Sequence, residues 1–191
     1  DVEHFAVQRW QKNSGDLDLL SVGRITPSKD LRTIIKAIDY LLVTKKSDLS
    51  IDLDIVGDAI LAADKKYKDE LQKGLVVSVQ FLGTKNYNQM PNVYQTHNLL
   101  VHTSKTGSMD KVVLEALAAG RIVVTSSEAY ADLADNELKG VVFRFPPGDY
   151  QELANTIEEI YHSGILKTLP NQKAIEYVRS NHNLDTLVGK I

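Results

Sequence analysis

Glycine, hydroxyl and cationic side chains recur together at the ends of short apolar runs in this sequence. The groups are Gly23-Arg24, Gly57-Asp58, Gly83-Thr84-Lys85, Thr103-Ser104-Lys105-Thr106-Gly107-Ser108 and Thr125-Ser126-Ser127. Glycine lets a ligand come close to the backbone. Hydroxyls and amides donate to phosphate oxygens. Arg24, Lys29, Lys85, Lys105 and Lys111 can offset phosphate charge. Taken singly, each glycine reads as a turn residue. Their company of cations and hydroxyls is what points to an anionic ligand.

The segment Thr106-Gly107-Ser108-Met109-Asp110-Lys111 reads as a loop feeding an apolar helix that continues to Ala119. A helix start offers unpaired amides and the positive end of the dipole, so it suits an anion. Glu115 lies in that helix among Val112, Val113, Leu114, Ala116 and Leu117. A carboxylate in such company needs a partner or a task. Accepting hydrogen bonds from a ribose diol is one task; an exposed helix face or a buried ion pair is the plainer alternative. The sequence has no GxGxxG after the first apolar run, no GxxxxGK[ST] and no GxSxG. His4, His97, His102, His162 and His182 are not spaced as metal ligands, and a structural role is expected for His97 and His102. No metal site and no cofactor is expected.

Six apolar segments must carry these groups. They are Leu17 to Gly23, Ile51 to Gly57, Val76 to Gly83, Asn98 to Thr103, Arg121 to Thr125 and Val141 to Phe145. Each is short, apolar or alternating, and bounded by glycine or small polar residues, which is a strand pattern. Helical patterns fall between them. Leu31, Ile34, Ile35, Ile38, Leu41 and Leu42 form one stripe, and Asp149 stands as the cap of Tyr150 to His162. The other helical stretches are Asp64 to Lys73, Asn88 to Gln95, Asp110 to Ala119 and, weakly, Glu128 to Ala134; the tail from Gln172 to Ile191 holds two, broken around Asn181 to Asn183. Alternation of strand and helix implies crossovers and a parallel sheet. The expected fold class is α/β: a Rossmann-like, doubly wound parallel sheet of about six strands with helices on both faces. Ligands of such sheets bind beyond the carboxyl ends of the strands, where the polar groups above concentrate.

Composition narrows the function classes. The 191 residues are 43% hydrophobic and 25% charged, an ordinary globular balance. The formal charge of −3 and the lack of a basic stripe argue against a nucleic-acid partner. No cysteine is present, which removes disulfides, thiolate metal sites and a cysteine nucleophile, and fits a reducing compartment. No apolar run approaches the roughly 18 residues of a membrane span. The chain opens without methionine or a signal-like segment, as a piece of a longer polypeptide would.

Several runs together resemble the family-4 retaining glycosyltransferases of the GT-B fold. Leu20-Ser21-Val22-Gly23-Arg24-Ile25-Thr26-Pro27-Ser28-Lys29 is similar to their VGR-to-lysine signature, and Asp54-Ile55-Val56-Gly57-Asp58 to their "IVGdG". Gln80-Phe81-Leu82-Gly83, Val113-Leu114-Glu115-Ala116-Leu117-Ala118-Ala119-Gly120, Ile122-Val123-Val124-Thr125 and Pro146-Pro147-Gly148-Asp149 follow in the family order. Asp1-Val2-Glu3-His4-Phe5 is similar to the family's interdomain linker.

The resemblance implies one half of a GT-B fold, the donor-binding C-terminal domain. Residues 1–16 would be linker, 17–165 the nucleotide-sugar-binding domain, and 166–191 helices that cross toward a missing N-terminal acceptor domain. It implies transfer of a sugar from a nucleoside-diphosphate sugar, with retention, in cell-surface polysaccharide or glycolipid synthesis. The fragment alone is expected to be inactive. The location implied is cytoplasmic, with membrane association only through the missing half. A nucleotide-sugar epimerase of related fold, or a non-catalytic Rossmann-like module, are the alternatives.

By the same resemblance, Arg24, Lys29, Lys111, Val112 and Val113 would meet the donor diphosphate. Gly83, Thr84, Lys85 and Glu115 would meet base and ribose, and Gly23, Thr106, Gly107, Ser108 and Met109 would lie near the donor sugar. The chain departs from the family at Gly107, where the first glutamate of an E-x7-E motif usually stands, and Asp110 and Lys111 are the candidates to replace it. Ala59 and Asp30 also stand where the family has glycines.

Overall fold

A computed structural model describes residues 2–6, 16–73 and 77–182. Six strands form one parallel sheet: β1 Leu17–Val22, β2 Ile51–Val56, β3 Ser78–Gly83, β4 Leu99–His102, β5 Ile122–Thr125 and β6 Val142–Arg144. Their spatial order is β3-β2-β1-β4-β5-β6. The winding reverses between β1 and β4, which pair through Leu19 with Leu99 and Leu20 with Leu100. This is the expected doubly wound architecture, and the reversal opens a crevice beyond the ends of those two strands.

Burial follows strand position. In β4 and β5 every residue is buried, as both faces of a central strand require. β2 alternates instead, with Asp52 and Asp54 half-buried between Ile51, Leu53 and Ile55. β3, at the sheet's edge, has no fully buried residue.

The helices are α1 Val2–Phe5, α2 Leu31–Asp39, α3 Ala62–Gln72, α4 Met90–Thr96, α5 Lys111–Ala118, α6 Tyr150–Ser163 and α7 Gln172–Asn181. The stripe of α2 is buried at Leu31, Ile34, Ala37 and Ile38, and continues through Leu41 in a wider π-type turn. A fully buried Leu or Ile stabilises by about 1.5–3 kcal/mol. α2 packs on α6, and α5 packs on α7 and α1. Asp149 caps α6 as its sequence indicates, accepting from the amides of Gln151 at 3.1 Å and Glu152 at 3.0 Å. The weak helical stretch after Glu128 resolves into a 3-10 turn, Glu128–Tyr130, and a π-type turn, Leu133–Glu137.

Two features run past the sequence expectation. The α1 turn has no readable periodicity, yet its Phe5 is buried, edge-on to Tyr87 and Tyr94. Glu3 of the same turn receives both Nε and Nη2 of Arg179 on α7. The helix α5 is less enclosed than its composition suggests. Val113, Ala116, Leu117 and Ala118 are buried, while Val112, Leu114 and Glu115 are half-buried and Lys111 is exposed. Of these, Glu115 lines the cleft described below. Val76, most of the lead-in segment and Asn183 to Ile191 lie outside the described residues. Among the described residues no helix is long and apolar enough to cross a membrane.

Candidate functional site

The turn after β1 and the turn after β2 approach each other closely. Gly23 N–H donates to Val56 O at 2.9 Å, Ile25 N–H to Asp58 O at 3.0 Å, and Gly57 N–H to Gly83 O at 2.9 Å. These bonds stitch the ends of the first three strands into one floor. Asp30 takes a left-handed conformation with φ of 46° just before α2. Aspartate tolerates that region better than most residues. Its Oδ2 accepts from Thr33 Oγ1 at 2.9 Å and pairs with Lys105 at 3.1 Å.

A cleft of about 400 Å³ opens above this floor, lined by Val22, Gly23, Arg24, Val56, Gly57 and Asp58 from the first two strand ends. Thr84 and Lys85 after β3, Glu115 from α5 and the apolar Ile60, Tyr87 and Met90 complete the lining. The structure therefore brings Gly23, Arg24, Thr84, Lys85 and Glu115 into one cavity. Gly83 adjoins the lining through its carbonyl, which accepts from Gly57 N–H. A smaller recess continues from Gly23 and Arg24 to Lys29, His102, Thr103 and Ser104.

The two basic residues of the first turn differ in state. Arg24 is exposed and has no hydrogen-bond or ion-pair partner among the described residues. Lys29 donates to Asp110 Oδ2 at 2.5 Å and to Ser104 Oγ at 3.2 Å. Lys111 is exposed and, like Lys85, pairs with no carboxylate among the described residues. Lys105, a phosphate-facing cation on sequence grounds, is instead engaged by Asp30.

Asp110 stands at the N-cap of α5, but its side chain caps nothing. The carboxylate turns to Lys29 and to His102 Nε2 at 2.8 Å, so the first-turn amides of Lys111 and Val112 are free of side-chain capping. Their helix is eight residues long, and the amides add to the positive end of its dipole. Burial alone would raise the Asp110 carboxyl, but the hydrogen bonds and charges of Lys29 and His102 outweigh it and hold it down at about 2.

His102 was unremarkable in sequence and is central here. Burial lowers its pKa, only partly offset by Asp110, so near pH 7 the ring is neutral. Nε2–H then donates to Asp110, and Nδ1 accepts from the Thr125 hydroxyl at 2.9 Å. Thr125 Oγ1 in turn accepts from Ser127 N–H at 3.1 Å. His97, by contrast, is structural as expected: its ring joins Val93 O at 2.7 Å to Asp54 Oδ2 at 3.1 Å.

The loop before α5 is held by a relay of hydroxyls. Ser104 Oγ meets Thr106 Oγ1 at 2.9 Å, Thr106 Oγ1 meets Ser108 Oγ at 2.8 Å, and Ser108 donates to Asp110 Oδ1 at 3.1 Å. Gly107, with φ of 65°, makes the reversal between Thr106 and Ser108. Met109 is exposed beside it. On α5, Glu115 Oε2 accepts from the buried Tyr94 hydroxyl at 3.0 Å. Burial, then the charge of Glu115, pushes the Tyr94 phenol well above its usual range, so it remains a donor. Among the described residues no group of three or more His, Asp or Glu side chains is arranged to hold a metal.

Known proteins share this arrangement of the chain. A solved Anabaena protein, HepE, captured with UDP and glucose, superposes with a TM-score of 0.77 at 21% identity, over 100% of this chain and 53% of that one. The C-terminal domain of a glycosyl transferase group 1 protein, LpcC, from Francisella tularensis has a TM-score of 0.73 at 18% identity, over 96% of this chain and 98% of that one. The Arabidopsis thaliana sulfoquinovosyl transferase SQD2 is 24% identical over 147 residues, 75% of this chain and 26% of that protein. The chain thus spans about a quarter of the length of that curated relative and about half of HepE. Residues 3–180 match the family model described as glycosyl transferases group 1, and with this sheet beneath the match the chain belongs to that family.

Proposed function

We propose that this chain is the donor-binding half of a retaining glycosyltransferase, holding a nucleoside-diphosphate sugar in the cleft at the carboxyl edge of its sheet. The observation that carries the reading is the cleft's polarity. Arg24, unpaired among the described residues, lines it together with Glu115, a carboxylate oriented by Tyr94, while Lys29 lines the adjoining recess and bonds to Asp110 at the uncapped start of α5. Cations and amides suit phosphates, and an oriented carboxylate suits vicinal hydroxyls. Thr84 and Lys85, with the apolar Ile60, Tyr87 and Met90, suit a base. The UDP carried by HepE on the same fold supports the assignment.

Sugar transfer leaves a nucleoside diphosphate whose negative charge grows as the glycosidic bond breaks. The sugar becomes oxocarbenium-like. Arg24, Lys29 and the amides of Lys111 and Val112 would stabilise the departing phosphate, and preorganised donors of this kind act without reorganising. Asp110 and Lys111 adjoin Gly107 and would meet the donor sugar in place of a glutamate at that position. Acceptor binding and water exclusion would fall to a preceding domain, joined through residues 1–16 and reached again by residues 166–191. The chain alone would then not turn over. A nucleotide-sugar donor and a cysteine-free chain suit a cytoplasmic setting, with any membrane contact made by the absent half.

The test is calorimetric titration with UDP, GDP and ADP, then with the sugar forms of the one that binds. Saturable binding of one diphosphate supports the reading. No heat from any of the three at millimolar ligand, or robust transfer by this chain alone, counts against it.

A further inference from the structure

A carboxylate, Asp110, stands in direct contact with a cation of the recess beside Gly23 and Arg24. Asp110 Oδ2 accepts from both Lys29 Nζ and His102 Nε2, and Oδ1 accepts from Ser108. The pair is well enclosed, with side-chain exposures of 21% for Lys29 and 22% for Asp110. The other carboxylates near the cleft are engaged elsewhere. Asp58 pairs with Lys68, Asp30 with Lys105, and Glu115 accepts from Tyr94. Among the described residues, Asp110 is therefore the carboxylate bonded to a cation that lines the recess beside Gly23 and Arg24.

Two effects follow from one contact. An ammonium has three donors. Asp110 and Ser104 take two and fix the group beside Gly23 and Arg24, leaving the third for a ligand. The same contact cancels the charge of Lys29, so the pair as a whole is neutral toward an incoming phosphate. Net attraction then falls to Arg24 and the amides of α5. We propose that Asp110 is a positioning residue that places Lys29 for the donor diphosphate and also limits how tightly that diphosphate is held, so that the spent nucleoside diphosphate leaves readily. The proposal rests on reading the cleft as the donor-diphosphate site.

Asp110→Asn isolates the charge. The amide oxygen can still accept from Lys29 and His102, and the amide nitrogen can donate to Ser108, whose hydroxyl also accepts. Titration of the chain and this variant with the diphosphate that binds best is expected to show about fivefold to tenfold tighter binding by Asp110→Asn. Binding should also fall more steeply with added salt, while the phosphate-free nucleoside binds both proteins equally. A second comparison does not depend on that variant alone. Lys29→Ala leaves the Asp110 charge facing the phosphate, so Lys29→Ala/Asp110→Asn should bind the diphosphate more tightly than Lys29→Ala. A purely structural prop would give the double variant the larger loss.

Equal or weaker diphosphate binding by Asp110→Asn at an unchanged melting temperature overturns the proposal. So does a double variant no better than Lys29→Ala. If the unaltered chain binds no nucleoside diphosphate, the donor reading fails and this proposal with it. If the unaltered chain binds and Arg24→Ala weakens that binding while Asp110→Asn gains nothing, only the role of Asp110 is overturned.

Discussion

Gly57 and Gly23 meet backbone to backbone, so closely that a Cβ on Gly57 would lie 1.9 Å from the carbonyl oxygen of Gly23. Gly57 also holds φ at 139°, where side chains are rarely accommodated. This contact lets the turns after β1 and β2 share one floor under the cleft. Gly57→Ala is expected to destabilise the domain by about 3 kcal/mol or more, because backbone rather than a flexible side chain must move. Gly107 is a useful contrast. Its φ is 65°, but nothing lies within 4 Å of an added Cβ. Gly107→Ala should cost only the left-handed backbone, about 1–2 kcal/mol. Chemical denaturation of both variants checks the ranking, and a Gly57→Ala protein as stable as the wild type would contradict the shared floor.

The Tyr94 hydroxyl orients Glu115 at 3.0 Å, so its removal should be felt by the ribose rather than by the phosphates. Tyr94→Phe keeps the buried ring. We expect the preference for a ribonucleoside diphosphate over its 2′-deoxy counterpart to shrink by about 1 kcal/mol in Tyr94→Phe and by more in Glu115→Gln, which also loses the carboxylate charge. Identical preference in all three proteins would remove Glu115 from the ribose site.

His102 should make stability depend on pH. Burial lowers its pKa in the folded protein below the ordinary 6.5, so the unfolded chain binds the proton first. Stability is then full above about pH 6.5 and falls as pH drops from there toward the folded value. His182, also lowered by burial, adds to the same trend. His102→Gln should therefore lose less stability than wild type between pH 7.5 and pH 5.5, read by urea denaturation at each pH. Equal losses would mean that His102 is not held neutral. The Asp110 carboxyl, held down at about 2, loses its contribution only below the ordinary carboxylate range, as pH falls from about 4 toward 2.

The sheet was legible because apolar, β-branched runs ending in glycine or hydroxyl residues leave few other folds open. The runs beginning at Leu17, Ile51 and Arg121 and the stripe from Leu31 to Leu42 needed only local periodicity. The gathering of Arg24, Thr84 and Lys85 followed from the rule that such sheets bind at their carboxyl edge, and the placing of Glu115 beside them from the family resemblance. Pairings across the sheet were not legible. Lys29 and Asp110 are 81 positions apart, and nothing near either residue announces the other. His102 hid because a histidine closing a buried strand looks structural until the loop carrying Asp110 folds back on it. Lys105 misled for the converse reason: its partner, Asp30, is displayed by a left-handed turn that the sequence does not reveal. The α1 turn escaped because four residues are too few to show a period.

The most direct test of the donor site is a titration of the isotopically labelled chain with UDP, GDP or ADP, followed amide by amide by NMR. The account predicts that the amides of Gly23, Arg24, Thr84, Lys111 and Val112 shift together and saturate at one concentration. It also predicts that Arg24→Ala weakens the diphosphate's binding by about tenfold or more while the plain nucleoside binds as before. Shifts that saturate elsewhere on the surface, or an Arg24→Ala loss shared equally by nucleoside and diphosphate, would contradict it.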